Sequence, residues 1–195
     1  MIFVPSIIAF GVIVAAYVNL GAKLATLRHD GVLKRIRTTP LPSSAYLSGI
    51  LGSTAATTLA ITACIMAIGV FAFGAVPRTS GLPEIAGGLV LGVLCFGSLG
   101  LALSSVARSA ESASPIANAS YLPVAIMSGI FDPTFSVPGW LSVIVGLLPV
   151  RALAQILQQG YTPVEHAPLS DLYVLLAWTV VGCAFAVWRF RWQTS

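Results

Sequence analysis

Charge is scarce in this 195-residue chain. Only 8% of its residues are Asp, Glu, Lys or Arg, against about a quarter in a soluble domain of this size. That scarcity excludes a soluble globular protein, which could not cover its water-facing surface from such a supply. With 57% hydrophobic residues and a mean hydropathy of +0.93, the chain reads as an all-α integral membrane protein.

Other shortages exclude chemistries. Cys64, Cys95 and Cys183 lie in separate apolar segments without CxxC spacing, which suits packing better than a disulfide frame or a zinc site. His29 and His166 are expected on opposite sides of the membrane, so they cannot share a metal or a proton. The only lysines, Lys23 and Lys34, follow no glycine-rich phosphate cradle, and no GxSxG is present, so neither nucleotide binding nor serine hydrolysis is supported. No metal, cofactor or catalytic residue is expected in the chain, and the reading is non-enzymatic. A titratable group inside a span would mark an ion or proton pathway. Every charge here falls at a span end or in a loop, Arg151 being the most ambiguous, which disfavours ion coupling. The net charge of +4 arises beside the spans rather than on a soluble, aromatic-studded face, so nucleic acid is not the expected partner.

What the chain does contain is uncharged stretches of spanning length. A bilayer core needs about 20 apolar helical residues, and five stretches qualify: 2–21, 45–76, 85–107, 114–131 and 171–189. The second exceeds the minimum and should tilt or extend beyond the bilayer. Between the last two spans, residues 132–165 form a segment whose apolar run, Trp140 to Leu148, is too short to cross. Pro133, Pro138, Pro149 and Pro163 break it into short helices, because proline lacks an amide donor and clashes with the preceding turn. An interfacial or re-entrant helical pair on one face follows. Small residues recur where helices would touch: Gly52, Ala56, Ala60 and Cys64 on the second span, and Gly88 with Gly92 on the third.

Lys and Arg counts set the orientation. With the loop 22–44 inside, the inner side collects Lys23, Arg28, Lys34, Arg35, Arg37, Arg108, Arg189 and Arg191, and the outer side keeps Arg78 and Arg151. The N-terminus is then outside. Within the loop, Val32, Leu33 and Ile36 share one helical face while Lys34, Arg35 and Arg37 take the others. Thr39 precedes Pro40 and is biased to an extended conformation, which ends the helix. On pattern alone, such a basic amphipathic turn fits a helix lying on anionic lipid as well as a protein-docking loop.

Two blocks, in order, carry a resemblance. The run RHDGVLKRIRTTPLP, with Asp30, Gly31, Leu33, Lys34, Arg35, Thr39 and Pro40, resembles the cytoplasmic loop of ABC type-2 permeases. The run SGIFDPTFSVPGWLSVIVGLLP, with Ser128, Gly129, Ile130, Phe131, Pro133, Pro138, Trp140, Leu141 and Pro149, resembles that family's C-terminal signature. The family has six spans preceded by an amphipathic elbow helix; this sequence matches from the second span onward. His29 and Asp30 stand where members often carry two acidic residues, and Arg151 stands where a less basic residue is common.

The resemblance implies a permease subunit in a bacterial cell membrane, exporting a hydrophobic or amphipathic compound such as a drug, antibiotic or lipid. Asp30, Gly31, Leu33, Lys34, Arg35, Arg37, Thr39 and Pro40 would couple it to a separate ATPase subunit that binds the ATP. A second permease chain and membrane lipids would complete the assembly. Phe131, Pro133, Pro138, Trp140 and Pro149 would belong to an extracellular re-entrant gate. The rival expectation is a non-transporting scaffold or immunity-type membrane protein whose basic loop binds lipid or a regulator.

Overall fold

A computed structural model describes residues 3–30, 43–107, 110–128, 139–162 and 169–189, and among these it contains helices, turns and irregular connections without strand. The helices are α1 (Phe3–His29), α2 (Ser43–Phe73), α3 (Leu82–Val106), α4 (Ala110–Met127), α5 (Gly139–Gly146), α6 (Pro149–Gln159) and α7 (Leu169–Arg189).

Four stretches are long and apolar enough to cross a membrane: Phe3–His29, Ser48–Phe73, Thr79–Val106 and Leu169–Trp188. The expected span at 114–131 falls on α4, an 18-residue helix with Pro115 and Pro123 inside it and Glu111 in its first turn. It does not reach that mark, so four candidate spans, not five, are established among the described residues.

Helix ends differ from the expected span ends for local reasons. The first span was expected to stop at residue 21, before Lys23, yet α1 continues to His29. Lys and Arg are good helix formers, so charge ends the apolar stretch without ending the helix. Near its middle, Val14–Asn19 forms a π-helical segment. At the far end of α2, Gly74 takes φ 62°, a left-handed conformation that glycine adopts without steric penalty. The Gly74 and Ala75 amides then donate to the Val70 and Gly69 carbonyls at 3.1 and 2.9 Å, closing the helix three residues before the expected end at 76.

The bundle is assembled around α3, and glycines set its spacing. At Gly100, an added Cβ would lie 2.8 Å from the Ala16 carbonyl oxygen and 3.0 Å from that of Tyr17. The backbones of α3 and of the π-helical segment therefore touch. Further along, Gly21 meets Gly100 and Leu103, and Gly92 meets Val12, so α1 and α3 run parallel. On another side of α3, Gly182 of α7 abuts Ser98 and the Leu99 amide. Helix α2 runs antiparallel to α1, with Gly69 against Val4 and Gly11 against Ile61 and Ile65. Lipid tails are as apolar as the helix surfaces, so close backbone approach and dispersion must supply the cohesion.

The small-residue stripe Gly52, Ala56, Ala60 and Cys64, expected to pack against a helix, instead faces away from the bundle: all four residues are exposed, and a Cβ at Gly52 would meet nothing within 4 Å. Gly88 and Gly92 do pack, but against α6: Gly88 meets Ile156 and Leu157, and Gly92 meets Leu153.

Gly100→Leu is expected to force α1 and α3 apart and to lower stability by about 2 kcal/mol, whereas Gly52→Leu leaves it nearly unchanged. Thermal unfolding of the two variants in the same detergent distinguishes them.

Candidate functional site

Most of the residues singled out for coupling and gating, namely Gly31, Leu33, Lys34, Arg35, Arg37, Thr39, Pro40, Phe131, Pro133 and Pro138, lie outside the described residues. Asp30 closes α1, its amide donating to the Thr26 carbonyl at 2.9 Å. The backbone of Trp140 belongs to α5, and Pro149 opens α6.

The break between α5 and α6 is where the fold departs from a simple bundle. Pro149 sits in the first turn of α6, where its missing amide removes no intrahelical bond. The Leu147 carbonyl, freed by the interruption, accepts from Trp178 Nε1 of α7 at 2.8 Å. A backbone break inside an apolar bundle needs such a donor.

Contacts fix the level at which this break lies. Helix α6 runs antiparallel to α3: Gly160 packs on Gly81 and Ile85, Ile156 on Gly88, and Leu153 on Gly92. Arg78 donates its amide to the Gly160 carbonyl at 2.9 Å. Continuing that register brings Pro149 level with Phe96, and the two share the wall of one cavity. The N-terminus of α6 is thus near the middle of α3, not at its end. Arg151, in the first turn of α6 and the most ambiguous of the charges counted on the outer side, is thereby level with the middle of α3.

Helix α6 is strongly two-sided. Val150, Ala152, Leu153, Ala154, Ile156 and Leu157 are buried against α1, α3 and α7. The half-buried positions are Arg151, Gln155, Gln158 and Gln159, which share one face by the three-to-four residue period. Near the outer end of that face, Gln158 Nε2 donates to Ser6 Oγ of α1 at 3.4 Å. The outward faces of α2 and α7 are apolar by contrast, with Leu59, Ile68, Phe71, Val180 and Val187 exposed.

Hydroxyls along the long helices are mostly committed to their own backbones. Thr54, Thr57, Thr58, Ser98, Ser104, Ser105 and Thr179 donate to carbonyls of their own helices. Such back-bonding hides a hydroxyl from a ligand.

Below the break lies a cavity of about 390 Å³, walled by α1, α3, α4, α7 and the Leu148–Val150 segment. Its lining is aromatic and aliphatic, with Tyr17, Phe96, Tyr121, Trp178 and Phe185 among it, and among the described residues it includes no charged one. Ser120 donates to the Ala117 carbonyl, so the 2.7 Å contact between Tyr17 OH and Ser120 Oγ is donated by the tyrosine. Tyr17 belongs to the π-helical segment of α1, an irregularity that recurs at functional sites.

At the end of the bundle beyond the cavity, the Arg28 guanidinium donates to the Ser104 carbonyl near the C-terminus of α3, where a cation complements the helix dipole. At the opposite end, Glu84 Oε2 and Tyr161 OH are buried without a hydrogen-bond partner among the described residues, and burial pushes the Tyr161 phenol above its ordinary pKa.

The α6 polar face was missed in the sequence although its signal was present. Arg151, Gln155, Gln158 and Gln159 recur at helical spacing inside an otherwise apolar segment that was read only as a proline-broken interfacial or re-entrant pair.

Together these features define a multi-pass membrane protein, helical throughout its described residues, with an interrupted helix pair whose second member, α6, packs into the bundle. Residues 1–161 match the model of the ABC-2 type transporter family, and the chain belongs to that family. It is accordingly a multi-pass protein of the bacterial cell membrane. A protein of Bacillus subtilis (strain 168) named "Putative transport permease YvfS" is 30% identical over 153 residues, covering 75% of this chain and 60% of that relative. The chain thus spans about three fifths of the length of the relative it matches.

In a variant lacking Cys64, Cys95 and Cys183, Gln155→Cys and Gln158→Cys are expected to react with a water-soluble maleimide faster than Val180→Cys on the apolar face of α7. Equal, slow labelling at all three positions would contradict a hydrated α6 face.

Proposed function

We propose that the chain is the membrane permease subunit of an ATP-driven exporter and forms the substrate path for a hydrophobic or amphipathic compound. Membership of the ABC-2 type transporter family carries this reading, and the permease name of the B. subtilis relative supports it. The ATP is bound and hydrolysed by a separate subunit, because neither a phosphate cradle nor a hydrolytic motif occurs in the sequence.

In this reading the loop 22–44 is cytoplasmic, and Asp30, Gly31, Leu33, Lys34, Arg35, Arg37, Thr39 and Pro40 dock on the ATPase. The Arg28 contact to the end of α3 would make α1 and α3 move as one body when the loop is pushed. ATP-driven closure of two ATPase subunits would rock two permease chains between states that open the path to different sides. With α4 crossing as well, the chain has five spans. Helices α5 and α6 form the re-entrant outer gate, Gly160 lying against Gly81 at the outer surface and Pro149 near the membrane centre.

Leu33→Glu places a charge on the apolar face of the coupling helix and is expected to abolish both export and co-purification of the ATPase subunit while membrane insertion is retained. Retention of full export would refute the coupling assignment. If the unaltered chain captures no ATPase from its native membrane, the scaffold reading is favoured instead.

A further inference from the structure

The cavity below the break runs from Phe96, level with Pro149, to Val106, the last residue of α3. Val106 and Phe185 in its wall are exposed, so it opens toward that end of the bundle. Among its lining side chains, Tyr17, Ser120, Tyr121 and Trp178 carry a hydrogen-bonding group. Trp178 gives its hydrogen to the Leu147 carbonyl, Ser120 to the Ala117 carbonyl and Tyr17 to Ser120. Tyr121 differs. It is only 8% exposed, its ring lies against those of Phe10 and Tyr17 at centroid distances of 6.0 and 6.5 Å, and its hydroxyl has no hydrogen-bond partner among the described residues. Unlike the Tyr161 hydroxyl, it is not sealed in by protein, so it touches open space. The open space that Tyr121 lines is the cavity.

A buried hydroxyl without a partner is costly, and an acceptor placed in the cavity removes that cost. We propose that the cavity binds an uncharged, largely aromatic or aliphatic molecule bearing a carbonyl or ether oxygen: the oxygen accepts from Tyr121, and the apolar parts lie against Phe96, Leu99, Val124 and Phe185. The volume of about 390 Å³ falls at the small end of the roughly 300–1,000 Å³ of ligand sites, which suits one compact molecule better than a two-chain lipid. The described lining offers no counter-ion, so a charged ligand would lose its hydration without replacement. Aromatic faces attract a cation, but by less than the hydration it forfeits. A hydrocarbon fits the lining yet leaves Tyr121 unpaired. The ligand oxygen therefore supplies the selectivity.

The inference narrows the class of compound carried by the proposed path, rests on the reading of the chain as a transport subunit, and is tested apart from it. The probe is benzophenone, two aromatic rings joined by a photoreactive carbonyl, photolysed with the purified full chain and mapped by peptide mass spectrometry. It is expected to label the segments 96–106 and 120–124 saturably, whereas the exposed face of α2 around Leu59 and Phe71 labels without saturation and serves as the reference. Ala102→Trp, which fills the cavity, should remove the saturable labelling and spare the reference, and Val124→Trp serves as a second filling variant should the first misfold. Carboxylate and aminomethyl derivatives of benzophenone should show a cavity-to-reference ratio lower by about tenfold or more. Tyr121→Phe, which keeps the ring, should raise the half-saturating benzophenone concentration about fivefold, the scale of one neutral hydrogen bond. Diphenylmethane, the same molecule without the oxygen, should compete equally well in Tyr121→Phe and in the unaltered chain.

Saturable labelling that persists in both filling variants, a cavity preference shared by the charged derivatives, or an equal weakening of benzophenone and diphenylmethane in Tyr121→Phe would overturn the proposal. These substitutions lie away from the 22–44 loop. Failure of the unaltered chain to capture an ATPase, with cavity labelling intact, would count against the subunit reading and uphold this site; capture of an ATPase without cavity labelling would do the reverse.

Discussion

Close backbone contact along α3 is the constraint on which the other features depend. In a bilayer, apolar burial between helices gains little over burial in lipid, so cohesion comes from dispersion at short range. Helix α3 permits that range on several sides. Gly100 admits the carbonyls of Ala16 and Tyr17, Ser98 accepts Gly182 of α7, and Gly88 with Gly92 accept Ile156 and Leu153 of α6. Enlarging any of these residues would push one helix out of register. The glycines at 88 and 92 have the most specific role, because they hold a helix too short to span beside one that does span.

That placement explains how polarity is distributed. Serine and threonine hydroxyls on the long helices are turned onto their own carbonyls, as an apolar solvent requires. Helix α6 does not follow this pattern: it keeps an arginine and three glutamines on one face at half-buried positions. The break before it leaves the Leu147 carbonyl in need of a donor, and Trp178 supplies one. A broken helix, a charged residue at mid-level and an adjoining cavity are features that membrane proteins retain where a ligand passes, because each is costly in a purely structural role.

Much of the architecture was legible in the residues. Uncharged runs located the four long helices, and the prolines located the short pair, because both signals are local. Helix ends were less legible. Lys23 interrupts an apolar run but not a helix, so α1 outran its expected span, while the left-handed Gly74 ended α2 early. The partners of small residues could not be read at all: Gly88–Gly92 and Gly52–Cys64 share the same spacing, yet one packs on α6 and the other faces outward. Depth was equally hidden. Arg151 was counted with the outer charges because nothing local states that α6 runs back along α3, which is a tertiary fact set by Gly81, Gly88 and Gly92, all distant in sequence, together with Gly160 at the end of α6. The loop and signature residues from Gly31 to Pro40 and from Phe131 to Pro138 lie outside the described residues, so their roles stand on family resemblance.

In the proposed re-entrant arrangement, α6 begins near the middle of the membrane at Pro149 and ends near its outer surface at Gln159. Spin labels at Val150 and Gln159, in liposomes, report depth through the ratio of collisions with oxygen and with a water-soluble nickel chelate. Nine residues at about 1.5 Å each separate the two sites along the helix axis. The account predicts that Val150 is deeper than Gln159 by about 13 Å, less a modest correction for tilt. Equal, shallow depths at both positions would mean that α6 lies flat on the surface, and would contradict the account.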